Sequence, residues 1–202
     1  MAPVKPSCRI GLTGDVGSGK SKVLDWFAAR GAAVLDADQV VHQLLAADGA
    51  VQTAVGLRFG RELLGPGGAV DRKALAARVF QDAEARRDLE AILHPVVRER
   101  IAAWLDDQAA DTMVVEAIYL VGSPLAERLD QIWLVLADAA ARRERLRVRG
   151  WSAEAIAARM AAAPPLAPRL AAATQVIDNS GSWAATEAQL ARALAHCGRT
   201  RT

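Results

Sequence analysis

Gly14-Asp-Val-Gly-Ser-Gly-Lys-Ser21 fits the spacing G-x-x-x-x-G-K-[ST]. Glycines so placed let the backbone curl until successive N–H groups point inward, where they can hold phosphate oxygens. The candidate cradle comprises Gly14, Asp15, Val16, Gly17, Ser18, Gly19, Lys20, Ser21 and Lys22. A helix that follows the loop adds the positive end of its dipole. Lys20 can reach β- and γ-phosphates, and the Ser21 hydroxyl can ligate Mg²⁺, so the implied ligand is ATP with its metal. An accidental glycine turn is the rival reading, expected in roughly one chain per hundred of this length. An apolar run before the loop and a helical stretch after it favour the phosphate reading. Lysine is also scarce here, four against 21 arginines, so Lys20 is less readily filler.

Acidic and basic candidates lie further along. Asp36-Ala-Asp38 closes a second apolar run. Ligands of a parallel sheet bind at the carboxyl ends of its strands, so Asp36 is expected on the same edge as the phosphate loop. A carboxylate there could accept a proton from an attacking hydroxyl, or hold Mg²⁺ through water. Asp38 reads equally as a helix N-cap. Glu116 ends a third apolar run, where an acid serving the metal belongs; the alternative is an ordinary surface acid. His94 precedes Pro95 inside an otherwise helical stretch. From chemistry alone, a helix break with a partly buried imidazole is favoured there over a substrate contact. Arg145 and Arg149 stand in the charged run 142–149. They either close over developing phosphoryl charge or belong to a solvated helix face with i,i+4 pairs that include Glu144.

The elements that must carry these residues alternate. Arg9–Thr13, Ala33–Asp36, Met113–Glu116, Gln131–Leu136 and Gln175–Asp178 are short apolar runs without polar alternation. Such runs suit a parallel sheet covered on both faces. Helical stretches are expected at Lys20–Arg30, Asp38–Ala47, Ala83–Asp107, Ala139–Arg149, Ala153–Ala162 and Trp183–Ala195. The pattern predicts an α/β fold, a three-layer sandwich with a five-stranded parallel sheet. About 75 residues separate the second and third strands, too many for a simple crossover, which implies a helical insertion. The expected organisation is one domain, 1–202, with core 8–37, 112–138 and 174–197, an insertion at 38–111 and a lid at 139–173. A turn is expected at the prolines from Pro164 to Pro168.

Composition narrows the class. The chain has 202 residues, 52% hydrophobic and 24% charged, with net charge +2. Disorder is excluded as the main state, and a basic nucleic-acid binder is disfavoured, since aromatics are only 4%. No run approaches the ~18 apolar residues of a membrane span, and Met1 to Arg9 lacks the apolar stretch of a signal peptide. Cys8 and Cys197 form no framework and no metal-ligand spacing, so a reducing, cytoplasmic setting is expected, with Cys8 a small core residue.

Taken together, the motifs resemble the dephospho-CoA kinase family. The resemblance rests on Gly-Leu-Thr-Gly14 running into Gly17-Ser-Gly-Lys-Ser21, and on Asp36-Ala-Asp38 with His42 and Leu44. It continues through Val79-Phe80, Leu89-Glu-Ala-Ile-Leu-His-Pro95, Arg145, Arg149-Gly150 and Arg159-Met160, and ends at Val176-Ile-Asp-Asn-Ser-Gly181. It implies a P-loop kinase fold and ATP-dependent phosphorylation of the ribose 3′-hydroxyl of dephospho-CoA. Asp36 matches the proposed base, and Asp36, Asp38, His42 and His94 fall on the substrate side. The insertion matches a substrate-binding subdomain, and Asn179 lies where the family approaches the adenine. Glu116 takes a place usually held by Asp or Glu.

The chain departs from the family at Asp15, where a second glycine is common, at Lys22 in place of Thr, at Ile118–Gly122, and at Ala163 to Pro168. Two alternatives remain: another small-molecule P-loop kinase, or a nucleotide-binding protein without turnover. A monomer or small homo-oligomer is expected, with no nucleic-acid or membrane partner.

Overall fold

The computed structural model describes residues 8–80 and 82–197. They belong to two compact units. One comprises the residues before Asp36 together with those from Asp107 onward; the other is Asp36–Asp106.

The first unit is a five-stranded parallel sheet with helices on both sides. Its strands are β1 (Cys8–Gly14), β2 (Ala33–Asp36, whose last residue falls in the other unit), β3 (Thr112–Glu116), β4 (Gln131–Leu136) and β5 (Gln175–Asp178), in the order β2-β3-β1-β4-β5. β1 is central. It pairs in parallel with β3, where Leu12 faces Glu116, and with β4, where Gly14 faces Val135. Burial explains the unalternating sequence: Ile10, Leu12, Met113, Val114, Trp133 and Leu134 are all buried. The helix α1 (Lys20–Ala28) lays Val23, Leu24 and Phe27 into the core beside Trp133 and Leu190. The Phe27 and Trp133 rings meet at 5.3 Å, and the buried Trp133 indole N–H donates to Gln131 Oε1 at 2.7 Å.

The second unit is helical: α2 (Ala37–Ala47), α3 (Gly49–Phe59), α4 (Arg72–Phe80) and α5 (Ala83–Asp107, whose last residue falls outside the unit). Asp48 Oδ1 caps α3 by accepting from the amides of Ala50 and Val51, both at 3.1 Å. The remaining helices belong to the first unit: α6 (Ala139–Val148), α7 (Ala153–Ala161), α8 (Leu166–Ala172) and α9 (Trp183–Leu194).

Three expectations are corrected. The helix α5 does not break at Pro95 but runs straight through it, and His94 is exposed on it. Burial of Leu93, Ile101 and Leu105 along α5 offsets the ~3 kcal/mol that an internal proline costs. The segment from Pro164 is not only a turn, because α8 starts at Leu166. Pro168 sits in its first turn, where an amide proton has no intrahelical partner to lose. Cys8 and Cys197 are not independent: a disulfide joins them, with Cα atoms 5.9 Å apart. The fold brings the start of β1 beside the end of the last helix, which no sequence spacing announces.

Candidate active site

The loop from β1 to α1 wraps through Gly17 at φ 77° and Gly19 at φ 98°. At Gly19 a side chain would also collide with the Asn179 amide nitrogen, so this position has both conformational and steric need of glycine. Lys20 folds back over the loop. Its Nζ donates to the Asp15 carbonyl at 3.2 Å and lies 3.6 Å from Glu116 Oε1. Lys20, expected to reach the phosphates, is only 7% exposed, and Glu116 only 8%. Glu116 is therefore no surface acid. The β1–β3 register carries it to the base of the loop. Burying an ion pair is costly unless other partners hold it, so the arrangement marks chemistry more than stability.

Other expected residues prove to be struts for the loop. Asn179, just past β5, donates from its own amide to Leu136 O at 2.8 Å and from Nδ2 to Ser18 O at 2.7 Å. Its Oδ1 accepts from Thr186 Oγ1 at 2.9 Å. Arg145 on α6 donates from Nη1 to the carbonyls of Gly17 (3.3 Å) and Ser18 (3.1 Å), and from Nη2 to Asn179 O (2.5 Å). The neighbouring candidate Arg149 is the exposed C-cap of α6 and joins none of these bonds. Ser21 is exposed in the first turn of α1, and the Lys22 ammonium stands 4.2 Å from the centre of the Trp183 ring. Beside Asn179, the Asp178 carboxyl is held below the usual range by donors from Ser180, its Oγ at 2.6 Å and its amide at 2.9 Å.

In the helical unit, Asp36 is the N-cap of α2, with Oδ1 accepting from the Asp38 amide at 2.8 Å. The capping role considered for Asp38 thus belongs to Asp36, and Asp38 is exposed in the first turn. Arg72 Nη2 donates to His42 Nε2 at 2.5 Å on that unit's surface. A pocket of about 210 Å³ lies along α2, lined by Val40, Gln43, Leu44, Ala47, Asp48 and Arg100. His94 does not line it.

Sequence reasoning missed two arginines. Arg142 on α6 donates from Nη1 to Asp15 Oδ2 at 2.8 Å and from Nε to Val16 O at 3.0 Å. Arg169 on α8 places Nη2 2.7 Å from Asp15 Oδ1. The departure at Asp15 was the available signal, since a carboxylate in a phosphate loop needs a cation beside it.

Residues 8–185 match the family described as dephospho-CoA kinase. A dephospho-CoA kinase of a Synechococcus species is 41% identical over 194 residues, covering 94% of both chains. One from Symbiobacterium thermophilum is 39% identical over 194 residues, which span 94% of this chain and 81% of that one. A crystal structure from Thermus thermophilus has a TM-score of 0.71 at 33% identity, covering 96% of this chain and 98% of that chain. A shikimate kinase from Acinetobacter baumannii shares the fold alone, with a TM-score of 0.57 at 11% identity over 96% of each chain. A sheet of this order, a phosphate loop closed by Lys20 and Glu116, and a match over nearly the whole length make this chain a member of the dephospho-CoA kinase family.

Proposed function

We propose that this kinase transfers the γ-phosphoryl group of ATP to the ribose 3′-hydroxyl of dephospho-CoA, giving coenzyme A and ADP. The observation that carries the reading is the buried Lys20 beside Glu116, at the end of a loop that turns through Gly17 and Gly19 at positive φ. The backbone amides of 15–21 and Lys20 hold the phosphates. Arg145 keeps the loop in shape through the carbonyls of Gly17 and Ser18. Asp36 orients the acceptor hydroxyl and takes its proton as the new P–O bond forms and the bond to ADP breaks. Its Oδ1 is committed to the Asp38 amide, so Oδ2 is the oxygen that receives the proton.

The donor set fits Mg²⁺. Among the described residues no group of three or more His, Cys, Asp or Glu could hold a metal by itself. Mg²⁺ needs no such cage when phosphate oxygens supply ligands, and Ser21 Oγ with Glu116 nearby would complete its surroundings. That ion would neutralise charge on the phosphates.

We assign the helical insertion 38–111 to the acceptor and the segment 139–173 to a lid. Asn179 would approach the adenine, and His42 and His94 the acceptor. A cytoplasmic setting completes the proposal, supported by the absence, among the described residues, of any helix long and apolar enough to cross a membrane. In that compartment the Cys8–Cys197 bond would meet reductants.

A coupled ADP-release assay tests the reading. Turnover with dephospho-CoA, and none with shikimate, is expected; ATP binding without turnover on dephospho-CoA would overturn it.

A further inference from the structure

Asp15 occupies a glycine position of the phosphate loop and sits between two arginines that lie far away in sequence. Arg142 Nη1 donates to Asp15 Oδ2 at 2.8 Å, and Arg169 Nη2 stands 2.7 Å from Oδ1 as an ion pair without hydrogen-bond geometry. The hydrogen bonds of these arginines otherwise go mostly to backbone carbonyls. Arg142 Nε is bound to Val16 O; Arg169 Nε is bound to Pro165 O at 3.2 Å and its Nη2 to Pro164 O at 2.8 Å. One nitrogen of each guanidinium is left: Arg142 Nη2 and Arg169 Nη1 are buried and have no hydrogen-bond partner among the described residues. Arg169 as a whole is only 4% exposed. A buried guanidinium nitrogen without a partner is costly, so a site that keeps two of them beside a phosphate loop is built for an anion. The Ser18 hydroxyl, also buried, is likewise without a partner.

We propose that Asp15 is a positioning residue for the nucleotide: its carboxylate clamps Arg142 and Arg169 so that Arg142 Nη2 and Arg169 Nη1 donate to phosphate oxygens of ATP. The inference rests on the kinase reading. The clamp has a definite cost, because Asp15 itself repels the polyphosphate. Its net effect is favourable only while both arginines are there to be held. The sign of an Asp15 substitution must therefore depend on the arginines.

The test measures ATP and adenosine affinity by calorimetry without any acceptor, on the full chain. Asp15→Asn should weaken ATP about 10-fold, the scale of a charge-assisted hydrogen bond, and leave adenosine unchanged. In an Arg142→Gln/Arg169→Gln background, the same Asp15→Asn change should no longer weaken ATP, and should tighten it as the repulsion is removed. Circular dichroism checks that each variant is folded. If the triple variant does not fold, Arg142→Gln alone serves as the background, where the weakening should shrink. Equal weakening in both backgrounds, no weakening in the parent chain, or parallel loss of adenosine would overturn the clamp. A parent chain that binds no ATP would overturn the kinase reading with it, whereas tight parent binding with the wrong coupling sinks only the clamp.

Discussion

Charged side chains around the phosphate loop and those of the helical unit are held very differently. Lys20, Glu116, Asp15, Arg142 and Arg169 are buried or nearly so, and each is bound to a backbone carbonyl, an opposite charge or both. In the helical unit, Asp38, His42 and His94 stand exposed on helices, and Asp36 is fixed by a single capping bond. A phosphate is nearly the same object in every nucleotide, so its cradle can be rigid and prepaid in folding. An acceptor with a long flexible arm rewards a surface that adjusts.

Substitutions can break or sharpen this contrast. The largest effect is expected at Lys20. Lys20→Ala should lower kcat by at least ~10³-fold, the scale of losing a positioned charge at a developing phosphoryl anion. Because Lys20 is buried against Glu116, the variant should also lose roughly 1–3 kcal/mol of stability. Adding Glu116→Gln should restore part of the melting temperature and none of the activity. A Lys20→Ala protein with unchanged melting temperature would contradict the buried pair.

Next is Asp36. General bases contribute ~10²–10⁴-fold, and a loose phosphoryl-transfer transition state puts Asp36→Asn at the lower end, ~100-fold in kcat, with ATP affinity little changed. Asn still caps a helix, so stability should move by only a few tenths of a kcal/mol, roughly. Asp38→Asn should do less. Steady-state kinetics of the two variants decide the assignment, and a crippled Asp38→Asn beside a normal Asp36→Asn would reverse it.

The smallest effect separates two arginines one helical turn apart. Arg145→Lys keeps charge but loses the fork that spans three carbonyls, so kcat should fall about 10-fold, with lower stability. Arg149→Lys, exposed at the end of α6, should leave stability within ~0.5 kcal/mol. If Arg149→Lys lowers kcat at unchanged stability, Arg149 contacts phosphate during turnover.

The strands were legible as short apolar runs without polar alternation; Ala33–Asp36, Gln131–Leu136 and Gln175–Asp178 match residue for residue, although the edge strands β2 and β5 are only partly buried. The helix α3 was not, because Gly49 and Gly56 lower its helix propensity, and α4 carries little apolar periodicity. Their caps were in plain view: Asp48 for α3, and Asp71, whose Oδ1 accepts from Lys73 and Ala74 at 3.0 Å. The phosphate loop was legible because its geometry is local in sequence. Arg142 and Arg169 were not, because only the fold places α6 and α8 against Asp15.

The Cys8–Cys197 bond has a mechanical meaning. β1 is the central strand, flanked by β3 and β4, and a force pulling on residues beyond Cys8 and Cys197 would be borne by the covalent link before it reached the sheet. The nucleotide cradle hangs from the far end of that same strand. In a single-molecule tether the oxidised protein should stretch as an almost inextensible knot, and only reductant would expose β1 to shear.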